Sequence, residues 1–118
     1  MSAAVPLLTA IAERDRDVLM GLLAEDVVFH SPVQSYRGRD QVVHLLVTIG
    51  GILEAIEVTR KAGRATFFAT KVEEHPMDGV LDVDKKDGRI TEITLMLRPL
   101  AALQAAVARM TRALADSG

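Results

Sequence analysis

The stretch DVVFHSPVQSYRGRD, residues 26–40, gathers His30, Ser31, Tyr36 and Arg37 into one short segment. An imidazole beside hydroxyl groups can do acid–base chemistry, because it titrates close to neutrality. His30 has three readings: a histidine whose nitrogens are satisfied within the structure, a general acid or base, and a metal ligand. Ser31 precedes Pro32 and reads first as a hydroxyl that starts and orders a loop, second as a hydrogen-bond donor to a ligand. A nucleophilic role lacks the surrounding pattern of a serine-hydrolase elbow. Tyr36 and Arg37 stand where a loop ends. Tyr36 is either a ligand-contacting hydroxyl and lid anchor or a staple that packs the loop against the next helix.

Two further groups invite chemistry. Asp82 and Asp84 alternate with Leu81 and Val83. With the aliphatic pair facing the core, both carboxylates are solvated. A one-residue bulge reverses the faces and buries Asp82, which would raise its pKa and make it an acid. The histidines, His30, His44 and His75, are far apart and lack ligand spacing such as HExxH, so no metal is expected. With no cysteine in the chain, disulfides, thiolate metal sites and cysteine nucleophiles are excluded.

These residues need elements to position them. AVPLLTAIAER places Val5, Leu8, Ile11 and Ala12 at helical spacing, and Asp15 is a candidate cap for a second helix with Val18, Leu19, Leu22 and Leu23 on one side. DVVFHS is rich in β-branched and aromatic residues and reads as a strand. SPVQSYRG reads as a loop. GRDQVVHLLVTIGGIL returns to helix, with Val42, Leu45, Leu46, Ile49 and Leu53 on one face and Gly50-Gly51 loosening its end. Four strands are then expected from AIEVTRK, RATFFATKVEEH, GVLDVDK and RITEITLMLR. They are separated by Ala62-Gly63, by His75–Gly79 and by Lys86-Asp87-Gly88, whose Asp-Gly pair is a hairpin signal. Pro99 opens a closing helix whose apolar stripe is Leu100, Leu103, Val107, Met110 and Leu114.

The pattern is α+β: helices and a strand, then a run of antiparallel strands, then a helix. The 118 residues suit one domain, residues 1–118. Hydrophobic residues make up 49%, enough to build a core and to argue against disorder. A net charge of −2 with interspersed signs, and only four aromatic residues, argues against nucleic acid as a partner. The start lacks the positive leader and apolar run of a signal peptide, and no stretch reaches the roughly 20 apolar residues of a membrane span. A cytoplasmic protein without membrane attachment is expected.

The stretches LLAEDVVFHSP, YRGRDQVVHLL and KKDGRITEITLMLRPLAAL resemble the nuclear transport factor 2-like superfamily, and within it the SnoaL-like polyketide cyclase and ketosteroid isomerase branch. The resemblance covers nearly the whole chain. It implies a cone-shaped, curved antiparallel sheet wrapped around a long helix, a cystatin-like α+β roll with N-terminal helices and a C-terminal helix. It also implies an apolar cavity and homodimers formed through the outer sheet face. The isomerases of this family use a carboxylate base at the end of the first strand, a tyrosine on the first helix and a protonated aspartate on a later strand. Those positions fall here on Ser31, near Leu7 or Leu8, and on Val80 or Leu81. A hydroxyl is a poor base without an activating partner, and aliphatic side chains cannot donate to an enolate. The resemblance therefore does not carry that mechanism over.

Strand alternation and the family comparison together turn Phe29 and Ser31 inward and His30 outward. The expected pocket is built from Phe29, Ser31, Tyr36, Leu46, Phe68, Thr70, Ile93, Leu95 and Leu97. Such a lining favours a small hydrophobic molecule with one or two polar groups, and no cofactor is expected. Two alternatives stand beside it: a non-catalytic dimerisation or regulatory module with a collapsed pocket, and an isomerase-, cyclase- or hydrolase-like enzyme with a relocated acid–base residue, for which His30, Ser31 and Asp82 are the candidates.

Overall fold

A computed structural model describes residues 3–117. Its elements are α1 (Ala4–Ala12), α2 (Arg16–Leu22), β1 (Leu23–His30), β2 (Ser35–Arg37), α3 (Arg39–Gly50), β3 (Glu54–Ala62), β4 (Ala65–Val72), β5 (His75–Lys86), β6 (Arg89–Arg98) and α4 (Leu100–Ser117). The six strands form one curved, open sheet in the order β2-β1-β6-β5-β4-β3. The helices gather on its inner face and bury an apolar core that includes Leu7, Ile11, Phe29, Leu46, Phe68 and Ile93. This is the α+β class that the element order predicts.

Several local expectations hold for visible reasons. Asp15 caps α2, its carboxylate accepting from the Val18 backbone N–H at 3.1 Å. Asp87 and Gly88 both take positive φ, 54° and 81°, the conformation a two-residue hairpin between twisted strands requires. Gly50 ends α3 against the C-terminal end of α1. A Cβ there would sit 1.9 Å from the Ile11 carbonyl oxygen, so only glycine permits the two helices to approach this closely.

Other expectations need correction. The sheet is mixed, not antiparallel throughout, because β1 pairs with β6 in parallel. Tight turns make β3 to β6 an antiparallel meander, but β1 reaches β6 only after α3 and four intervening strands, so no hairpin dictates its direction. The helix after residue 38, read as the long one, has 12 residues, whereas α4 has 18. Val18 is 46% exposed, and Leu23 is buried as the first residue of β1 instead of extending the α2 face. The segment read wholly as loop contains β2, which pairs antiparallel with β1 and sets Tyr36 opposite Phe29.

The largest revision concerns His75–Gly79, read as a turn. The turn is Glu73-Glu74, with φ of 48° and 71°, and β5 already begins at His75. Proline and glycine misled the sequence reading here. Pro76 is tolerated because β6 pairs with β5 only from Asp78 onward, leaving Pro76 a neighbour on one side only. Gly79 is extended strand lying under the Phe68 ring. A Cβ at Gly79 would meet that ring at 2.2 Å.

Candidate functional site

The inner sheet face and the helices do not fill all the space between them. A cavity of about 340 Å³ lies between α3, α4, the ends of β1 and β6, and the segment from Ser31 to Tyr36. Strand alternation points Phe29, Leu95 and Leu97 into it from the sheet. The 3.6-residue period does the same from the helices, through Leu45 and Ile49 on α3 and through Leu103, Val107, Met110 and Leu114 on α4. Ile52 and Leu53, just past α3, complete one wall.

The polar side chains of the lining are Ser31, Gln34, Tyr36 and Thr111, and none of the lining side chains is charged at neutral pH. Ser31 organises the loop. Its Oγ accepts from the N–H groups of Val33 (3.2 Å) and Gln34 (3.1 Å) and donates to the Gln34 carbonyl at 2.8 Å. Thr111 donates to the Val107 carbonyl at 2.9 Å. The Gln34 amide donates to the Tyr36 hydroxyl at 2.7 Å. The Tyr36 ring stacks on Phe29, with centroids 6.2 Å apart and planes 21° from parallel.

Of the residues expected to form the pocket, the fold brings Phe29, Ser31, Tyr36, Leu95 and Leu97 to the cavity. Leu46, Phe68 and Ile93 lie in the packed core and are not among the lining residues. Thr70 is also buried away from the cavity, where its hydroxyl donates to the Glu54 carbonyl at 2.6 Å and anchors the start of β3. What the sequence reading missed is the contribution of α4. Its apolar stripe was visible, but spacing alone does not say which face of the sheet a helix covers.

The titratable candidates sit on the opposite face. His30 lies on the outer side of β1, its side chain 37% exposed. Its Nε2 is 2.6 Å from Glu92 Oε2 on β6, and its Nδ1 is 2.7 Å from Ser35 Oγ on β2. Both nitrogens are satisfied, and the cluster stitches three strands together. Asp82 and Asp84 also face outward, with Arg64 at 3.0 Å from Asp82 and 2.8 Å from Asp84. The hydrogen bond to Asp82, then that to Asp84, raises the Arg64 pKa above its ordinary value. The bulge in the β5–β6 pairing falls between Asp84 and Lys85, beyond Asp82, so it does not turn Asp82 inward. Neither His30 nor Asp82 reaches the cavity. Ser31 does, with its hydroxyl already engaged. His44 and His75 lie on α3 and at the start of β5, away from His30 in sequence and element.

A curved sheet closed on one side by helices, with a cavity between them, defines the cystatin-like or nuclear transport factor 2-like class of α+β protein. The model of the SnoaL-like domain matches residues 6–93, and the chain belongs to that family. Solved structures agree. A steroid delta-isomerase from Pseudomonas aeruginosa is 32% identical, with 97% of this chain and 93% of that one covered and a TM-score of 0.84. A protein with a cystatin-like fold from Silicibacter pomeroyi DSS-3 is 27% identical, with 95% and 85% covered and a TM-score of 0.85. A protein with a ketosteroid isomerase-like fold from Catenulispora acidiphila, in complex with trimethylamine, is 14% identical over 92% and 95% at a TM-score of 0.60, a likeness of fold alone. No curated protein matches the chain in sequence.

Proposed function

We propose that the chain takes up a small, largely apolar molecule in the cavity between α3, α4 and the sheet. The observation that carries this reading is the cavity itself. It is about 340 Å³, walled mainly by aliphatic side chains, with a few neutral polar groups at the Ser31–Tyr36 edge. Small-molecule sites are typically concave spaces of roughly 300–1,000 Å³ with this kind of lining.

Two measurements test it. Organic extracts of purified protein, read by mass spectrometry, are expected to contain a small apolar compound. Titration with toluene, followed by amide chemical shifts, is expected to perturb α3, α4 and β2 together. Ala106→Trp, which fills the space from α4, is expected to abolish those shifts while the circular dichroism spectrum stays that of a folded protein. Toluene shifts confined to the outer face would refute the reading.

Similarity to a steroid delta-isomerase favours a second reading, an isomerase-like enzyme. Against it, the cavity lining contains no carboxylate among the described residues, and the position of the family's base is Ser31. A β,γ-unsaturated ketone incubated with the protein is therefore expected to isomerise no faster than in buffer. We also propose a homodimer through the outer sheet face, where Met96 is 59% exposed and shares a concavity with Phe67 and Val80, bordered by Thr59, Arg60, Asp78 and Arg98. Sedimentation should then show a dimer that Met96→Glu dissociates.

A further inference from the structure

Accounting for the hydrogens at the cavity edge narrows the ligand. The Ser31 O–H donates to the Gln34 carbonyl, and the Thr111 O–H donates to the Val107 carbonyl. Tyr36 differs. Its hydroxyl accepts from the Gln34 amide at 2.7 Å, so its own O–H hydrogen is unspent, and no acceptor among the described residues takes it. Accepting one hydrogen bond polarises a hydroxyl and strengthens it as a donor. Stacking on Phe29, and the backbone pairing of Phe29 with Tyr36, fix where this donor stands. The cavity thus offers one aimed, neutral donor hydroxyl in a mainly aliphatic enclosure.

We infer that the cavity selects a compact, neutral molecule with an apolar body and one hydrogen-bond-accepting oxygen, held by the Tyr36 hydroxyl with Gln34 as its positioning residue. This rests on the cavity being the binding site. Charged ligands are rejected because no lining side chain carries a counter-charge, and burying an unpaired ion is strongly unfavourable. A compact ligand suits the volume, since about 340 Å³ lies near the lower end of the usual range.

Three probes of nearly equal shape test the inference: acetophenone, ethylbenzene and benzoate, each titrated against the full chain by amide chemical shifts. Acetophenone and ethylbenzene are expected to bind at α3, α4 and β2, and benzoate is expected not to. Tyr36→Phe keeps the ring stacked on Phe29 and removes only the hydroxyl. It is expected to lower the ratio of acetophenone to ethylbenzene affinity about two- to tenfold, the worth of one net hydrogen bond. A ratio that does not respond to Tyr36→Phe overturns the inference while leaving the cavity as a binding site. Benzoate binding as tightly as acetophenone does the same. Failure of both neutral probes to bind removes the cavity reading and this inference with it.

Discussion

The two faces of the one sheet differ in nearly everything but backbone. The inner face carries Val27, Phe29, Phe68, Leu81, Ile93 and Leu95, all less than a tenth exposed. Thr66 and Thr70 are the buried polar residues among those described. The outer face carries His30 with Glu92, Arg64 with Asp82 and Asp84, and Arg98 with Asp78. Alternation with period two produces this segregation from a single set of strands. Its chemical consequence is that His30 and the carboxylates of Glu92, Asp82 and Asp84 are outside, in water, while the polar side chains of the cavity are hydroxyls and an amide. A protein of this fold can therefore keep a cavity and place its imidazole and carboxylates on the other side of the sheet.

The contrast predicts how strongly each face resists change. The largest effect is expected from Phe68→Ala. The ring is 1% exposed and covers Gly79, so its removal should cost about 3–5 kcal/mol in urea unfolding. Next is Gly79→Ala, which drives a methyl into that ring and should cost about 1–3 kcal/mol by overpacking. Together they test whether Phe68 and Gly79 act as a unit. The double variant should be less destabilised than the sum of the two, because the alanine at Gly79 then enters the space the ring has left. Thr70→Val leaves the Glu54 carbonyl without its 2.6 Å donor and should cost about 1 kcal/mol. The smallest effect belongs to the outer face. Glu92→Ala breaks the 2.6 Å contact to a half-exposed His30 and should shift stability by less than about 1 kcal/mol, less still at high salt. An outer-face loss as large as that of Phe68→Ala would erase the proposed difference between the faces.

The same contrast explains what was legible. Alternation split β1, β4, β5 and β6 into two faces each; the family comparison chose the inner one for β1, and the bulge that would have turned Asp82 inward stayed open in the sequence until the pairing placed it beyond Asp84. Hence Phe29, Phe68, Leu81 and Ile93 are buried and His30 and Asp82 are not. The turn at Asp87-Gly88 was readable from residue type. The turn at Glu73-Glu74 was not, since two glutamates with positive φ carry no turn signal and the nearby Pro76 and Gly79 carry a false one. Those two residues are explained by tertiary neighbours, the end of β6 pairing in one case and the Phe68 ring in the other.

The candidate site divides in the same way. Phe29, Ser31, Leu95 and Leu97 follow from strand phase and from the family's fold, and Tyr36 from its place in the segment read as a loop after β1. Thr70, Leu46, Phe68 and Ile93 share the inward phase but sit too deep, in packed core instead of at the cavity. Period fixes the side on which a residue lies and says nothing of its depth. Gln34, with no sequence signal at all, matters because β2 sets Tyr36 two residues along and within its reach.

The sequence by itself determined the element order apart from β2, the inward phase of most strands and the amphipathic stripe of α4, because these are consequences of short-range periodicity and residue type. Tertiary structure alone decided three things: that β1 runs parallel to β6, that α4 lies across the inner face, and that space remains between α3 and α4. Each depends on how elements distant in the chain meet, and no local pattern encodes the gap that is left when they do.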